Sequence, residues 1–305
     1  LKISELYARA TRSRPVISFE FFPPKTAEAE AKLFEETVPA LKRLGPSFCS
    51  VTYGAGGSTR EATLRIVSKL KREHGLEAMA HLTCVGSTKE QLGAVLDEAA
   101  KLGIENILAL RGDPPKGSKE FKPVEGGFAH SVELIRFIRS RGTFAVAVAG
   151  YPEGHIEAKD KRRDWDYCAE KVEAGGEAVI TQLFYDADDF LAFREHLAGR
   201  RGVKAPIIPG ILPFLSGEQI RRFTGLCGSK LPEAVKATLD RLGSDDEAVR
   251  RYGVEVCTDL CRKLLDAGAP GIHVYTLNRV PSTAEIMANL GLAKLPEPAA
   301  AAAGV

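Results

Sequence analysis

Eight short apolar runs, each followed by a longer amphipathic stretch, constrain the fold of this chain more than any other feature. The runs are 16–21 (VISFEF), 48–53 (FCSVTY), 78–83 (AMAHLT), 106–110 (NILAL), 144–149 (FAVAVA), 178–182 (AVITQ), 207–211 (IIPGI) and 271–275 (GIHVY). Each has the length and bounding residues of a buried strand. Helix-like stretches lie between them, near 27–44, 59–74, 88–102, 130–141, 161–174, 186–198 and 217–226, with a last one near 282–291. Ser58-Thr59 before Glu61 and Thr88 before Glu90 supply N-terminal caps or first-turn acids, and Gly45, Gly75, Gly103, Gly142 and Gly175 close helices. Strands separated by crossover helices form a parallel sheet. Eight such units predict an α/β fold, a closed (β/α)₈ TIM barrel in a single domain. Extra helical material at 228–266 falls between the seventh and eighth strands. The alternative is a doubly wound Rossmann-type sheet. The count closes at eight and no linker breaks the chain, which favours the barrel. Residues 1–294 are assigned to it, and the Ala-rich stretch 295–305 to a disordered tail.

Composition narrows the class. Of 305 residues, 44% are hydrophobic and 27% charged, with a net charge of +2, so the chain reads as an ordinary globular protein. Acids and bases are mixed along its length, which gives no nucleic-acid surface. No apolar run reaches the length of a membrane span and no signal peptide is visible, so no membrane partner is expected and a cytoplasmic location is. Six scattered cysteines without a CxxC spacing read as free thiols. Cys257 and Cys261 stand four apart on a helix-like stretch, yet no further ligands accompany them, and no metal is expected.

In a barrel of this kind, chemistry collects at the C-terminal ends of the strands. Strand one continues as VISFEFFPPK, and alternation puts Ser18, Glu20 and Phe22 on one face and Ile17, Phe19 and Phe21 on the other. Glu20 then points into the barrel mouth among aromatic neighbours. Poor solvation there is expected to raise its pKa and make it a general acid. The competing reading pairs it with an internal base for structure. Strand two ends in VTYGAGGSTR, whose glycines permit close backbone approach to a ligand ahead of a helix N-terminus. Strand three carries His81, which alone reads as a core histidine.

Strand four ends in LRGDPP. Ile107, Ala109, Arg111 and Asp113 share a parity, Gly112 admits a close approach, and Pro114-Pro115 fix the exit. Arg-Gly-Asp is also an adhesion tripeptide, but that role needs an exposed loop on a secreted protein. Strand five delivers Tyr151 and His155, strand six Gln182 with Phe184 and Tyr185 for stacking, and strand eight Arg279. Together these strand ends call for a large, mixed polar and aromatic ligand with an anionic part.

These residues together resemble the methylenetetrahydrofolate reductase family. The matching stretches are SFEFFPPK (18–25), VTYGAGG (51–57), HLTC (81–84), LRGDPP (110–115), AGYPEGH (149–155), ITQLFYD (180–186), PGILP (209–213) and YTLNR (275–279), collinear over roughly residues 15–291. The family's fold is the same barrel. The resemblance implies a ping-pong reaction in one-carbon and methionine metabolism. NADH or NADPH reduces FAD, and the reduced flavin then delivers hydride to methylenetetrahydrofolate. It implies Glu20 as the acid that opens the imidazolidine ring and Asp113 as a charge beside flavin and pterin, both also contacting substrate. Arg111, Gly112, Asp113, Thr52, Tyr53, Ala55, His81, Tyr151, His155, Asp164 and Lys171 match flavin-contacting positions. Gln182, Gln219, Phe223 and Arg279 match positions that hold folate or nicotinamide.

The chain departs from the family's pattern at His130-Ser131, where Tyr-Ala is common, and at Tyr167, where Asn or His is common. These are flavin-binding positions too. A homo-oligomer is implied, since relatives form dimers or tetramers. The regulatory domain of eukaryotic relatives has no counterpart in this sequence. A pterin-binding transferase without flavin would keep the folate-facing residues and have no use for the flavin set. A non-catalytic barrel subunit would have no use for Glu20 and Asp113. A reductase served by a partner protein as electron donor is compatible with both sets.

Overall fold

The computed structural model describes residues 1–53, 60–114, 121–142 and 144–293. Its eight strands are β1 (Val16–Phe21), β2 (Phe48–Val51), β3 (Ala78–Thr83), β4 (Asn106–Leu110), β5 (Ala145–Gly150), β6 (Ala178–Leu183), β7 (Ile207–Ile211) and β8 (Gly271–Tyr275). Each pairs in parallel with the next, and β8 closes on β1, so the expected (β/α)₈ barrel is the observed fold.

Side-chain alternation splits every strand. On β1, Ile17, Phe19 and Phe21 pack outward against the helices, while Val16 faces the barrel interior with Phe48, Met79 and Leu108. The floor of that interior is closed by a helix absent from the sequence reading, α1 (Ile3–Ala8). Its Ile3 and Tyr7 join the inner cluster, and buried Asn106 accepts a hydrogen bond from the Ile3 amide at 2.9 Å.

The outer helices follow the expected positions. They are α2 (Ala27–Lys32), α3 (Val38–Lys42), α4 (Arg60–Arg72), α5 (Lys89–Lys101), α6 (Ser131–Arg141), α7 (Lys161–Glu173), α8 (Ala187–Arg194), α9 (Gly217–Cys227) and α12 (Pro281–Asn289). The additional helices between β7 and β8 are α10 (Glu233–Leu242) and α11 (Asp246–Asp266). Thr88 caps α5 reciprocally with Gln91. The cap assigned to Ser58-Thr59 and the tail at 295–305 lie outside the described residues. The single helix expected over 27–44 is divided by a π turn, Leu33–Thr37, just ahead of Pro39, which supplies no N–H to the ladder. A second π turn, Glu195–Arg200, extends α8.

One brace crosses the barrel mouth. The β6–β7 register shifts between Ile180 and Leu183, and the Tyr275 hydroxyl on β8 donates to the Thr181 carbonyl on β6. It passes Gly210 of β7, where a Cβ would sit 2.2 Å from that carbonyl and 2.5 Å from the hydroxyl. Only glycine leaves room for the crossing.

Candidate active site

The C-terminal end of the barrel opens into a cavity of about 480 Å³. Its lining includes Glu20 from β1, Thr52 and Tyr53 beyond β2, and His81 and Thr83 from β3. The far side is built by Arg111, Gly112 and Asp113 beyond β4, Tyr151 and His155 beyond β5, and Gln182 from β6. Phe223 from α9 and Tyr275 and Leu277 of β8 and its exit complete the wall. Residues up to 257 positions apart in sequence are thus gathered at one mouth (Glu20 to Leu277), because barrel closure brings all eight strand ends together and alternation turns one face of each strand inward.

Glu20 is the most buried acid in this wall, at 4% exposure. Its Oε2 lies 3.2 Å from His81 Nε2 and 3.3 Å from His273 Nε2, and accepts from the Ser50 hydroxyl at 3.3 Å. Thr276 Oγ1 donates to the Glu20 carbonyl at 2.6 Å and holds the backbone. Burial pushes the carboxyl up, but charge and hydrogen bonding from the two imidazoles outweigh it, and the pKa falls to about 2. The sequence reading expected the opposite shift, because it counted the aromatic neighbours and not the paired histidines. His81, read alone as a core residue, faces the cavity beside Glu20. His81 Nε2 and Thr83 Oγ1 are buried at this wall without an aligned hydrogen-bond partner among the described residues.

The exit of β4 is set by Gly112. Its φ is +88°, and a Cβ would lie 2.6 Å from Val85 Cγ1. This turn corrects the parity argument for strand four. Ile107 and Ala109 pack outward, and Arg111 and Asp113 reach the cavity because the strand ends at Leu110 and the chain bends at Gly112. Arg111 is held by a two-pronged pair to Glu157 at 2.7 and 3.0 Å, and its guanidinium lies 4.9 Å from the Phe121 ring centre.

A second cavity of about 400 Å³ adjoins the first and shares Leu110, Arg111, Ala149, Tyr151 and His155 with it. His130, Ser131, Asp164, Tyr167 and Lys171 line the part it does not share with the first. Asp164 accepts from the His155 amide at 3.1 Å, and burial raises its pKa despite that bond. Burial, with Arg111 nearby, lowers the pKa of His155. Lys171 Nζ donates to the Ala149 carbonyl, so a cation sits where the two cavities meet. Tyr167 is half exposed under the Arg163 guanidinium.

Several expected residues stand elsewhere. Ala55 lies outside the described residues. Arg279 is exposed and Gln219 lies off the lining; the Gln219 Oε1 accepts from the Leu215 amide, and its buried Nε2 has no partner among the described residues. Phe184 and Tyr185 do not offer stacking surfaces. Phe184 shares the parity of Gln182, but the strand ends at Leu183, so Phe184 stacks on Phe190 and Tyr185 donates to the Leu212 carbonyl in the outer core. Ser18, Ser50, His273 and Tyr275 were missed. Each is a polar or aromatic residue at an inward parity in an otherwise apolar strand, which was the available signal.

The sequence profile described as Methylenetetrahydrofolate reductase matches residues 5–291. The chain belongs to the methylenetetrahydrofolate reductase family. It is 41% identical over 301 residues to "Methylenetetrahydrofolate reductase (NADH) 1" of Zea mays, an alignment covering 95% of this chain and 50% of that protein. The chain therefore spans about half the length of the plant and fungal reductases it matches. Against "5,10-methylenetetrahydrofolate reductase" of Salmonella typhimurium it is 36% identical, with 90% of each chain covered. Among solved structures, an uncharacterised Clostridium thermocellum protein, described as binding two copies of 5-methyl-5,6,7,8-tetrahydrofolic acid, superposes with a TM-score of 0.65. The two are 17% identical over 96% of this chain and 97% of that one, a likeness of fold. Among the described residues no helix is long and apolar enough to cross a membrane, and no three metal-ligating side chains converge.

Proposed function

We propose that this chain reduces methylenetetrahydrofolate to methyltetrahydrofolate with FAD as hydride carrier and NADH or NADPH as donor, the two substrates occupying the cavity in turn. Family membership supports the reaction class. The observation that carries the reading is Glu20, a buried carboxyl at the wall of an open cavity whose rim also holds Asp113.

The residues present fit a flavin. Two adjoining cavities with a shared wall suit a long ligand with a planar ring at one end, and unpartnered Thr83 Oγ1 offers a buried polar contact. Arg111 and Lys171 stand where the cavities meet and suit an anionic linker. His130, Ser131 and Tyr167 would hold the outer end with side chains uncommon in the family. Bound there, flavin supplies the hydride chemistry that no side chain of this protein can provide.

The chain's own residues supply the rest. Glu20, held as a carboxylate in the open site, must first take up a proton; it then gives that proton to the ring nitrogen of the folate as the bond to the methylene carbon breaks, the electron pair leaving with nitrogen. Such acid catalysis is worth about 10²–10⁴-fold. The cationic iminium that remains is stabilised by the Asp113 carboxylate. Gln182 and Phe223 orient the pterin by hydrogen bonding and ring contact. The name of the maize relative specifies NADH, which makes NADH the donor to try first.

The deciding experiment is the visible spectrum of the purified protein with added FAD, repeated after anaerobic NADH or NADPH. Bound flavin that bleaches with a nucleotide and recovers on adding methylenetetrahydrofolate is the expected result. Failure to bind flavin in excess would overturn the reading. Flavin that binds but does not bleach would overturn the nicotinamide donor alone and favour a partner protein in that role.

A further inference from the structure

Behind Glu20, away from the ligand cavity, lies a sealed polar layer that the reaction as written does not use. His273 of β8 has no exposed surface, and both of its ring nitrogens are bonded. Nε2 lies 3.3 Å from Glu20 Oε2, and Nδ1 lies 2.7 Å from Ser18 Oγ on β1. The Phe48 ring stacks on the imidazole from β2, and Tyr275 meets it edge-on. Among the described residues, the groups facing this pair are few. They are Ser50 on β2, His81 on β3, Tyr275 on β8, and Tyr7 of α1 below Ser18.

The two histidines at Glu20 are not equivalent. His81 lines the cavity, and its Nε2 approaches Glu20 without hydrogen-bond alignment. His273 is off the cavity, aligned with Glu20 at one nitrogen and fixed by Ser18 at the other. A serine hydroxyl donates or accepts by rotating, so Ser18 satisfies Nδ1 in every protonation state of the ring. A residue so placed can change charge without moving.

We propose that His273 is a positioning residue that stores the proton Glu20 delivers. In the open cavity, water and the second imidazole favour the ion pair, carboxylate beside imidazolium. When ligand fills the cavity and expels water, the neutral pair is favoured, since two charges out of water cost more than two neutral groups. The Nε2–H bond then breaks, an O–H bond forms on Glu20 Oε2, and net charge is unchanged. Ligand binding thus converts a carboxylate into an acid. After Glu20 protonates the folate nitrogen and product leaves, the site takes one proton back from solvent. This inference rests on the reductase reading of the same site.

Two measurements test it. Proton–nitrogen correlation NMR of the whole protein, labelled at histidine nitrogen, reads the charge state of His273 directly. The expected result is an imidazolium near neutral pH without ligand, and a neutral ring protonated at Nδ1 once methyltetrahydrofolate is added. A ring that keeps one state with and without ligand, from about pH 5 to about pH 9, would overturn the proposal.

The second is single-turnover reduction of methylenetetrahydrofolate by His273→Gln. The rate is expected to fall about tenfold or more with KM unchanged and a flattened pH profile. A merely structural role would instead slow nucleotide-driven bleaching as well. Ser18→Ala leaves the ring in place and is expected to act in the same direction more weakly, and it decides the matter if His273→Gln does not fold. Wild-type protein that reduces no methylenetetrahydrofolate would overturn the activity itself. Wild-type turnover with a silent His273 would overturn only the proton store.

Discussion

The side-chain amide of Asn278 binds both backbone polar groups of Phe22, accepting from its N–H at 3.0 Å and donating to its carbonyl at 2.8 Å. It stands in for a strand residue where the β1–β8 ladder has already ended. To do so, Leu277 and Asn278 both adopt left-handed backbone conformations, with φ of +50° and +56°. Asparagine tolerates that region and leucine does so at some cost. The seam matters because Phe22 and Leu277 both line the cavity and Glu20 lies two residues before Phe22.

Asn278→Ala is expected to destabilise the fold by about 1–3 kcal/mol, because it leaves two backbone groups of Phe22 unpaired. Asn278→Asp is expected to be at least as damaging, since a carboxylate oxygen would face the Phe22 carbonyl. Urea unfolding of the three proteins checks both. An Asp variant as stable as wild type would mean that the amide donor contributes nothing.

Acid stability should report the state of Glu20. Its carboxyl is depressed from 4.5 to about 2 in the folded protein, so its ionised form stabilises the fold above the unfolded value. That contribution is lost as pH falls from about 4.5 through about 2. In this window the unfolded chain binds more protons, and stability rises with pH by at most about 1.4 kcal/mol per pH unit for one such group. Glu20→Gln is expected to remove this slope. Unfolding free energies measured across the window in both proteins would expose a carboxyl that is not held ionised by an identical slope.

Gly112→Ala combines a left-handed φ with a Cβ 2.6 Å from Val85 Cγ1 and 3.0 Å from Thr83 Cβ. The backbone term and the overpacking term together are expected to cost about 2–4 kcal/mol. The displaced turn carries Arg111 and Asp113, so flavin retention on gel filtration is expected to fall as the melting temperature falls. Retention at the wild-type level would detach the turn from cofactor binding.

Glu157→Gln breaks the two-pronged pair that occupies Arg111. Arg111 and Glu157 side chains are 23% and 47% exposed, so the pair is worth no more than about 1 kcal/mol. Freed from it, Arg111 is expected to bind an anionic cofactor about two- to fivefold more tightly at low salt, with the gain shrinking as salt is added. Fluorescence titration with FAD measures this. Weaker binding would show that Glu157 positions the guanidinium rather than competing for it.

Strand positions were legible because a barrel strand must be apolar on both faces over a short run. Val16–Phe21, Ala78–Thr83, Asn106–Leu110, Ile207–Ile211 and Gly271–Tyr275 coincide with the runs read from sequence. Periodicity failed where strands stop. Arg111 was assigned a face by a rule that holds only inside a strand, and a bend at Gly112 reversed it; Phe184, expected at the mouth for stacking, turns into the outer core where β6 ends at Leu183. The α1 plug is six residues long, too short to show a helical period, and its burial is decided by the barrel floor it meets. The partners of Glu20 were hidden for another reason. Ser18 shares its strand, but Ser50, His81 and His273 come from three others, and only closure of the barrel brings them to one oxygen or one ring.

Tyr275 reaches Thr181 only because Gly210 leaves the way clear. The tyrosine at 275 therefore depends on what stands at 210, since any side chain there would meet the Tyr275 hydroxyl and the Thr181 carbonyl together. Shortening Tyr275 would not by itself release position 210, because the Thr181 carbonyl would still stand 2.2 Å from a Cβ there. Members of the family that carry tyrosine at 275 are expected to carry glycine at 210, although 65 residues separate the two along the chain.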